Sequence, residues 1–163
     1  MNPTSPPPEV TSRALIDAAL ICDLVRVREL LARGADPNVR DDDGRTPLFS
    51  AVLGGSIGLV GLMLESRADV NARDNDGFSA LHFAAQEYLP EIARLLIARG
   101  ADVNAVDNDG RSVLWRAVFS SRGRDEIIRL LRASGAKSDT PDAEGVTPQD
   151  LADRTGIRAL TDN

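Results

Sequence analysis

Residues Asp74 to Val106 read DNDGFSALHFAAQEYLPEIARLLIARGADVNAV, and Asp41 to Arg73 before them read DDDGRTPLFSAVLGGSIGLVGLMLESRADVNAR. A further copy opens at Asp107 with DNDGRSVLWRAV. Self-similarity at a period of 33 residues predicts a repeat architecture whose unit is a turn and two short helices. Each unit would bury its apolar face against its neighbours rather than in one central core. The local signals agree. Asp43-Gly44, Asp76-Gly77 and Asp109-Gly110 are turn dipeptides, because glycine accepts positive φ at no steric cost. Thr46 and Ser79 stand where a helix cap is needed, and Pro47 fits the first helical position, where no N–H is required. Leu48, Ala51 and Val52 give a narrow inner face, and Ile57, Leu59, Val60, Leu62, Met63 and Leu64 an apolar second helix. In the next copy Pro90 opens the second helix and Gly100 ends it.

These residues follow the pattern D-x-x-G-x-T-P-L-H-x-A-A, an apolar helix, then G-A-D-x-N, which resembles the ankyrin repeat family from about Thr11 to Leu160. The resemblance implies an all-α, ankyrin-type solenoid of helix-turn-helix units joined by β-turn loops. Three full repeats would lie between an N-terminal and a C-terminal cap. The units fall at about 11–40, 41–73, 74–106, 107–141 and 142–161, after a proline-rich leader at 1–10 that is expected to be disordered. The first unit has the G-A-D-x-N exit at Gly34 to Asn38 but lacks the turn; polar residues Arg13, Asp17, Arg26 and Arg28 are expected on its outer face. Three departures are informative. Gly58 and Gly61 interrupt a helix, at about 1 kcal/mol each relative to Ala. Arg67 occupies the helix-ending glycine position, a left-handed site that disfavours a side chain by roughly 1–2 kcal/mol. The unit from Asp107 reaches Gly135 two residues late, which places an insertion near Ser121-Arg122 in the turn between its helices.

Composition excludes several classes of function. The 163 residues carry a net charge of −6 and a pI near 4.8, without the basic stripe that phosphate neutralisation needs, so no nucleic-acid partner is expected. No apolar run approaches a membrane span, and the start MNPTSPPPEV has neither the basic nor the apolar region of a secretory signal. Cys22 is the only cysteine, which rules out a disulfide framework; a reducing, cytoplasmic setting and a monomer are expected. His82 is the only histidine, so neither a triad nor a zinc site can be assembled around it. The resemblance gives it a structural role, holding neighbouring loops by hydrogen bonds. Gly54 to Gly61 lacks the G-K-[ST] ending and the preceding strand of a phosphate-binding loop. The acidic tips Asp41-Asp42-Asp43, Asp74-Asn75-Asp76, Asp107-Asn108-Asp109 and Asp142-Ala143-Glu144 lack the twelfth-position Glu of a calcium loop, and turn formation explains them better. No catalytic residue, cofactor or metal is expected.

What the resemblance implies instead is a non-catalytic protein–protein interaction module that binds through turn tips and the inner face of the first helices. Carried onto this sequence, the tip positions are Asp42, Asp43 and Arg45; Asn75, Asp76 and Phe78; and Asn108, Asp109 and Arg111. The late first-helix positions are Leu53, then Gln86 with Glu87, then Phe119. Phe49 and Trp115 occupy the histidine slot of their units, and each is read either as an anchor or as packing against the next turn. Phe78, Phe119, Leu53 and Trp115 are the expected anchors, and the acidic rim would favour a protein partner with a basic surface. An accessory, inhibitory or immunity-type subunit for a specific partner uses the same face and is the alternative. A small ligand-binding protein or enzyme would need convergent titratable groups that the sequence does not offer.

Overall fold

The computed structural model describes residues 8–160, with side chains from Ser12 onward. Among the described residues there are nine α-helices, one 3-10 turn and two isolated β-bridges, with no strand. The chain divides into two compact units, 1–69 and 70–163. Residues 1–7 of the expected leader lie outside the described residues, and the first helix opens at Pro8.

In the first unit the helices are α1 (Pro8–Leu20), α2 (Leu24–Ala32), α3 (Pro47–Leu53) and α4 (Ile57–Glu65). Helix α1 packs on α2 and α3, and α3 packs on α4. Leu48, Ala51 and Val52, which the periodicity placed inside, are fully buried, and so are Leu15 and Ala19 of α1. Small residues at this seam let the helix backbones approach closely. Thr46 sits at the N-cap of α3 with Pro47 after it, but its buried hydroxyl makes no hydrogen bond. The expected Thr46 cap is therefore positional only. Ser56 does cap α4, accepting from the Leu59 N–H at 3.4 Å.

In the second unit the helices are α5 (Ala80–Gln86), α6 (Pro90–Ala98), α7 (Val113–Ser120), α8 (Glu126–Ala133) and α9 (Pro148–Thr155), followed by a 3-10 turn at Arg158–Leu160. First helices form one row, α5 on α7 on α9; α6, α8 and the 3-10 turn form the second. Leu81, Ala84, Leu96, Leu114, Ile127 and Leu131 are fully buried between them. At Ser79 the cap is reciprocal: its hydroxyl accepts from the His82 N–H, and the His82 Nδ1 accepts from the Ser79 N–H at 3.1 Å. Thr147 and Asp150 repeat this box on α9, and the Thr147 N–H and hydroxyl hold the Asp150 carboxyl below its usual range.

A side-chain ladder that the sequence reading did not anticipate ties consecutive repeats together. The asparagine of each G-A-D-x-N or equivalent reaches the end of the following second helix. Asn71 donates to the Gly100 carbonyl at 3.1 Å and accepts from the Asp102 N–H at 2.8 Å. Asn104 does the same at Gly135 (3.2 Å) and Lys137 (2.9 Å). In the first unit Asn38 bonds the Arg67 carbonyl (3.2 Å) and the Asp69 N–H (2.7 Å). Each pair satisfies the carbonyl of the residue just past a helix C-cap and an N–H two residues further on. The residues held in this way, Arg67, Gly100 and Gly135, are all left-handed, and Arg67 at φ 67° is the non-glycine among them, as its position predicted.

Candidate partner-binding surface

The tips are built from the inside. In the second unit the first aspartate of each turn uses one carboxylate oxygen to accept two backbone N–H groups. Asp74 Oδ1 takes those of Asp76 (3.0 Å) and Phe78 (2.8 Å), and Asp107 Oδ1 those of Asp109 (3.0 Å) and Arg111 (2.9 Å). Asp142 Oδ1 takes those of Glu144 (3.0 Å) and Val146 (2.8 Å). All three aspartates are buried, so they form the turns and leave display to the residues after them. Asp41 repeats the pattern in the first unit with Asp43 and Arg45.

Neighbouring tips of the second unit are bonded to each other. The Asn108 N–H donates to the Asp76 carbonyl at 3.0 Å and its Nδ2 to the Asn75 carbonyl at 2.9 Å. The Ala143 N–H donates to the Asp109 carbonyl at 2.8 Å. Gly77 is needed here twice over: its φ is 81°, and a Cβ would lie 2.6 Å from Asn108 Oδ1. The tips are thus fixed relative to one another by backbone hydrogen bonds.

Of the expected site residues, Asp42, Asp43, Leu53, Asn75, Asp76, Glu87, Asn108, Asp109 and Phe119 are exposed. Arg45, Phe78, Gln86 and Arg111 are half-buried, and Trp115 is buried at 6% exposure. Trp115 is therefore corrected from an anchor to a support: its ring stacks on Phe119 with centroids 5.1 Å apart and planes 19° apart, and the Arg111 guanidinium lies 4.8 Å from it. Phe49, in the equivalent slot, is fully buried. Phe78, expected at the surface, packs against Phe83 (5.2 Å), His82 (5.5 Å) and the Arg116 guanidinium (4.5 Å). Within the second unit, Phe78 is covered by rings of its own repeat and by the Arg116 guanidinium of the next, and Trp115 by Phe119 and Arg111 of its own repeat.

Arg116 is the residue that the sequence reading missed. It binds Asp107 Oδ2 through Nε at 3.0 Å and Nη2 at 2.6 Å, with the Asp107 side chain 1% exposed. One oxygen of Asp107 therefore shapes the turn while the other holds α7 to it. The available signal was an arginine at a position where the other copies place Ser50 and Phe83.

The acidic rim is partly neutralised. Arg45 pairs with Asp43 at 3.3 Å, and Arg111 with Asp109 at 3.0 Å, lying 3.7 Å from Asp142 and 3.9 Å from Glu144. Asp76 has no side-chain partner among the described residues. Late first-helix positions are the exposed apolar ones: Leu53 is 41% exposed in the first unit and Phe119 65% in the second. Leu20, Ile21 and Val25 of the first cap are exposed too, beside the polar Arg13, Asp17, Arg26 and Arg28 expected there. A groove of about 780 Å³ in the first unit runs past Ile16, Leu20 and Val39 to Asp41 and Asp42. A cleft of about 590 Å³ in the second unit lies beside Phe119, between Glu87 and Arg124.

His82 is fully buried, and burial lowers its pKa from 6.5 to about 4, outweighing the charge of Asp107, which would raise it. It is neutral at physiological pH and serves the α5 cap. Cys22 sits at the α1–α2 turn with its Sγ 3.6 Å from the Gly54 carbonyl. Among the described residues no three His, Cys, Asp or Glu side chains gather as metal ligands, and no helix is long and apolar enough to cross a membrane.

Stacked helix pairs with bonded, outward-facing tips and exposed first-helix ends define a repeat-built binding scaffold. The family model described as ankyrin repeats (3 copies) matches residues 15–107, and the chain belongs to the ankyrin repeat family. Ankyrin repeats are generally protein–protein interaction modules, and the family is typically non-catalytic. Comparison with curated proteins gives no match.

Proposed function

We propose that this chain is a non-catalytic binding module that takes a protein partner on its turn tips and first-helix ends. The observation that carries the reading is Phe119. It is 65% exposed at the end of α7, yet its ring is held by stacking on the buried Trp115. A large apolar side chain fixed before binding loses little freedom on association and suits a central anchor. Gln86 and Glu87 line the cleft beside it, and Asn75, Asp76, Asn108 and Asp109 supply polar groups at the tips, on backbone already ordered by tip-to-tip bonds. In the first unit Leu53, Asp42 and Asp43 offer the same kinds of group. The chain works as a monomer, and its single cysteine fits a reducing, cytoplasmic compartment.

The test compares capture of host proteins by the wild type, by Phe119→Asp and by Arg99→Glu, the last on the exposed end of α6. A partner retained by wild type and Arg99→Glu but lost with Phe119→Asp is the expected result. Equal recovery by all three would remove the first-helix ends as the binding surface.

A further inference from the structure

The two-residue insertion in the unit from Asp107 changes the charge of the surface next to the anchor. Helix α7 has eight residues where α3 and α5 have seven. Ser121 continues in helical conformation, and Arg122 (φ 48°) and Gly123 (φ 82°) are then both left-handed. The extra length is thus taken up partly in the helix and partly in a strained turn that displays Arg122. A left-handed residue recurs in this turn at Cys22, Gly55 and Tyr88, so what is particular to this unit is the second left-handed residue and the arginine placed on the turn.

Three arginines line the resulting cleft. Arg124 is fixed: its Nε donates to the Ser121 carbonyl at 3.2 Å, and its guanidinium lies 3.7 Å from the Tyr88 ring centroid. Tyr88 is in turn held through its hydroxyl, which accepts from the Glu126 N–H at 3.1 Å. Arg122 is exposed and has no hydrogen bond or ion pair among the described residues. Arg116 also lines the cleft, but Asp107 neutralises it. The opposing charge is Glu87, bonded by Gln86 Nε2 at 3.3 Å. Two guanidinium groups against one carboxylate leave the cleft cationic, with the exposed ring of Phe119 on its wall.

We propose that this cleft receives an acidic side chain of the partner, its carboxylate between Arg122 and Arg124 and an adjacent apolar residue on Phe119. The partner's surface would then be acidic here and basic only where it meets Asp76, since Arg111 already pairs with Asp109. Planar, forked guanidinium groups match a carboxylate, and a cation there would face two like charges. The proposal rests on reading this face as the partner-binding surface.

The probe is the peptide acetyl-Glu-Leu-Glu-Phe-Glu-Leu-amide, with the same peptide carrying Lys for Glu as its counterpart. Both are titrated into isotopically labelled protein by NMR. Expected are saturable shifts at the Gly123 amide and Arg124 Nε–H with the acidic peptide alone. Arg122→Gln should weaken binding about threefold, the scale of one exposed charge pair, and Arg122→Glu should transfer the preference to the lysine peptide. Arg122 makes no contact that the fold needs, so these variants should keep the wild-type circular dichroism. Equal response to both peptides, or no response at Gly123 and Arg124, overturns the proposal; so does single-stranded oligonucleotide binding there more tightly than the peptide. In host-protein capture, loss with Phe119→Asp but none with Arg122→Glu would leave the face standing and remove the acidic contact. Loss with neither variant would remove the face itself.

Discussion

Acid should loosen the second unit through His82, by an amount that the structure sets. The ring is fully buried, faces Phe78 and closes the α5 cap through Nδ1, so it folds in as the neutral form. Burial lowers its pKa from 6.5 to about 4; Asp107 works against the shift, and Arg73 and Arg116 work with it. Between those two values the unfolded chain binds a proton that the folded chain refuses. Stability therefore falls as pH drops through this window and is unaffected by His82 above it. At about 1.4 kcal/mol per tenfold change, the loss is about 2 kcal/mol at pH 5 and approaches about 3 kcal/mol near pH 4. The reference is His82→Gln, because Ser-x-x-Gln retains the capping box without a titrating ring. Urea unfolding of both proteins from pH 7.5 to 4.5 gives the difference, which cancels the carboxylates common to both. A difference that stays constant across that range, or a folded-state NMR titration of His82 near 6.5, would refute the reasoning.

Relief of the left-handed strain at Arg67, whose carbonyl bond to Asn38 is backbone and survives substitution, should make Arg67→Gly more stable by about 1 kcal/mol. That gain corresponds to a melting temperature raised by roughly 2–4 °C, read by thermal circular dichroism. Gly58→Ala and Gly61→Ala in α4 place their methyl groups in open space, so each should add about 0.5–1 kcal/mol in chemical unfolding. Arg116→Met leaves one oxygen of the buried Asp107 without its cation, and a loss of about 3 kcal/mol is expected. Arg116→Met with Asp107→Asn should recover part of that loss, and no recovery would show that the ion pair is not the cause.

Backbone-determined features were the legible ones. The left-handed Gly44, Gly77, Gly110 and Gly145 and the strained Arg67 follow from turn chemistry that local sequence contains. So do the Ser79 cap and the starts of α3, α6 and α9 at Pro47, Pro90 and Pro148. What escaped the sequence depends on which side chains meet in the folded chain. Phe78, Trp115 and Phe119 reach three different exposures because each is covered by the particular rings and guanidinium groups beside it, Phe83, His82 and Arg116 at Phe78, and Phe119 and Arg111 at Trp115. The Arg116–Asp107 pair lies within one repeat and was invisible for a different reason, because it links a helix residue to a turn aspartate nine places back that no local pattern pairs with it. The insertion was placed correctly near Ser121, but its division between a longer α7 and a left-handed pair follows from the need to keep α8 in register with α6. In the first unit a polar outer surface was expected, and Leu20, Ile21 and Val25 are exposed beside its polar residues.

That the tips of the second unit are held in place before any partner arrives is tested most directly by amide hydrogen exchange at Asn108 and Ala143. Both N–H groups bond across to the preceding tip, to the carbonyls of Asp76 and Asp109. Protection of these two amides comparable to that of the α5 and α7 backbone is the expected result in the free protein. Exchange at the rate of an open loop would contradict it, because the surface around Phe119 would then have to be ordered by the partner itself.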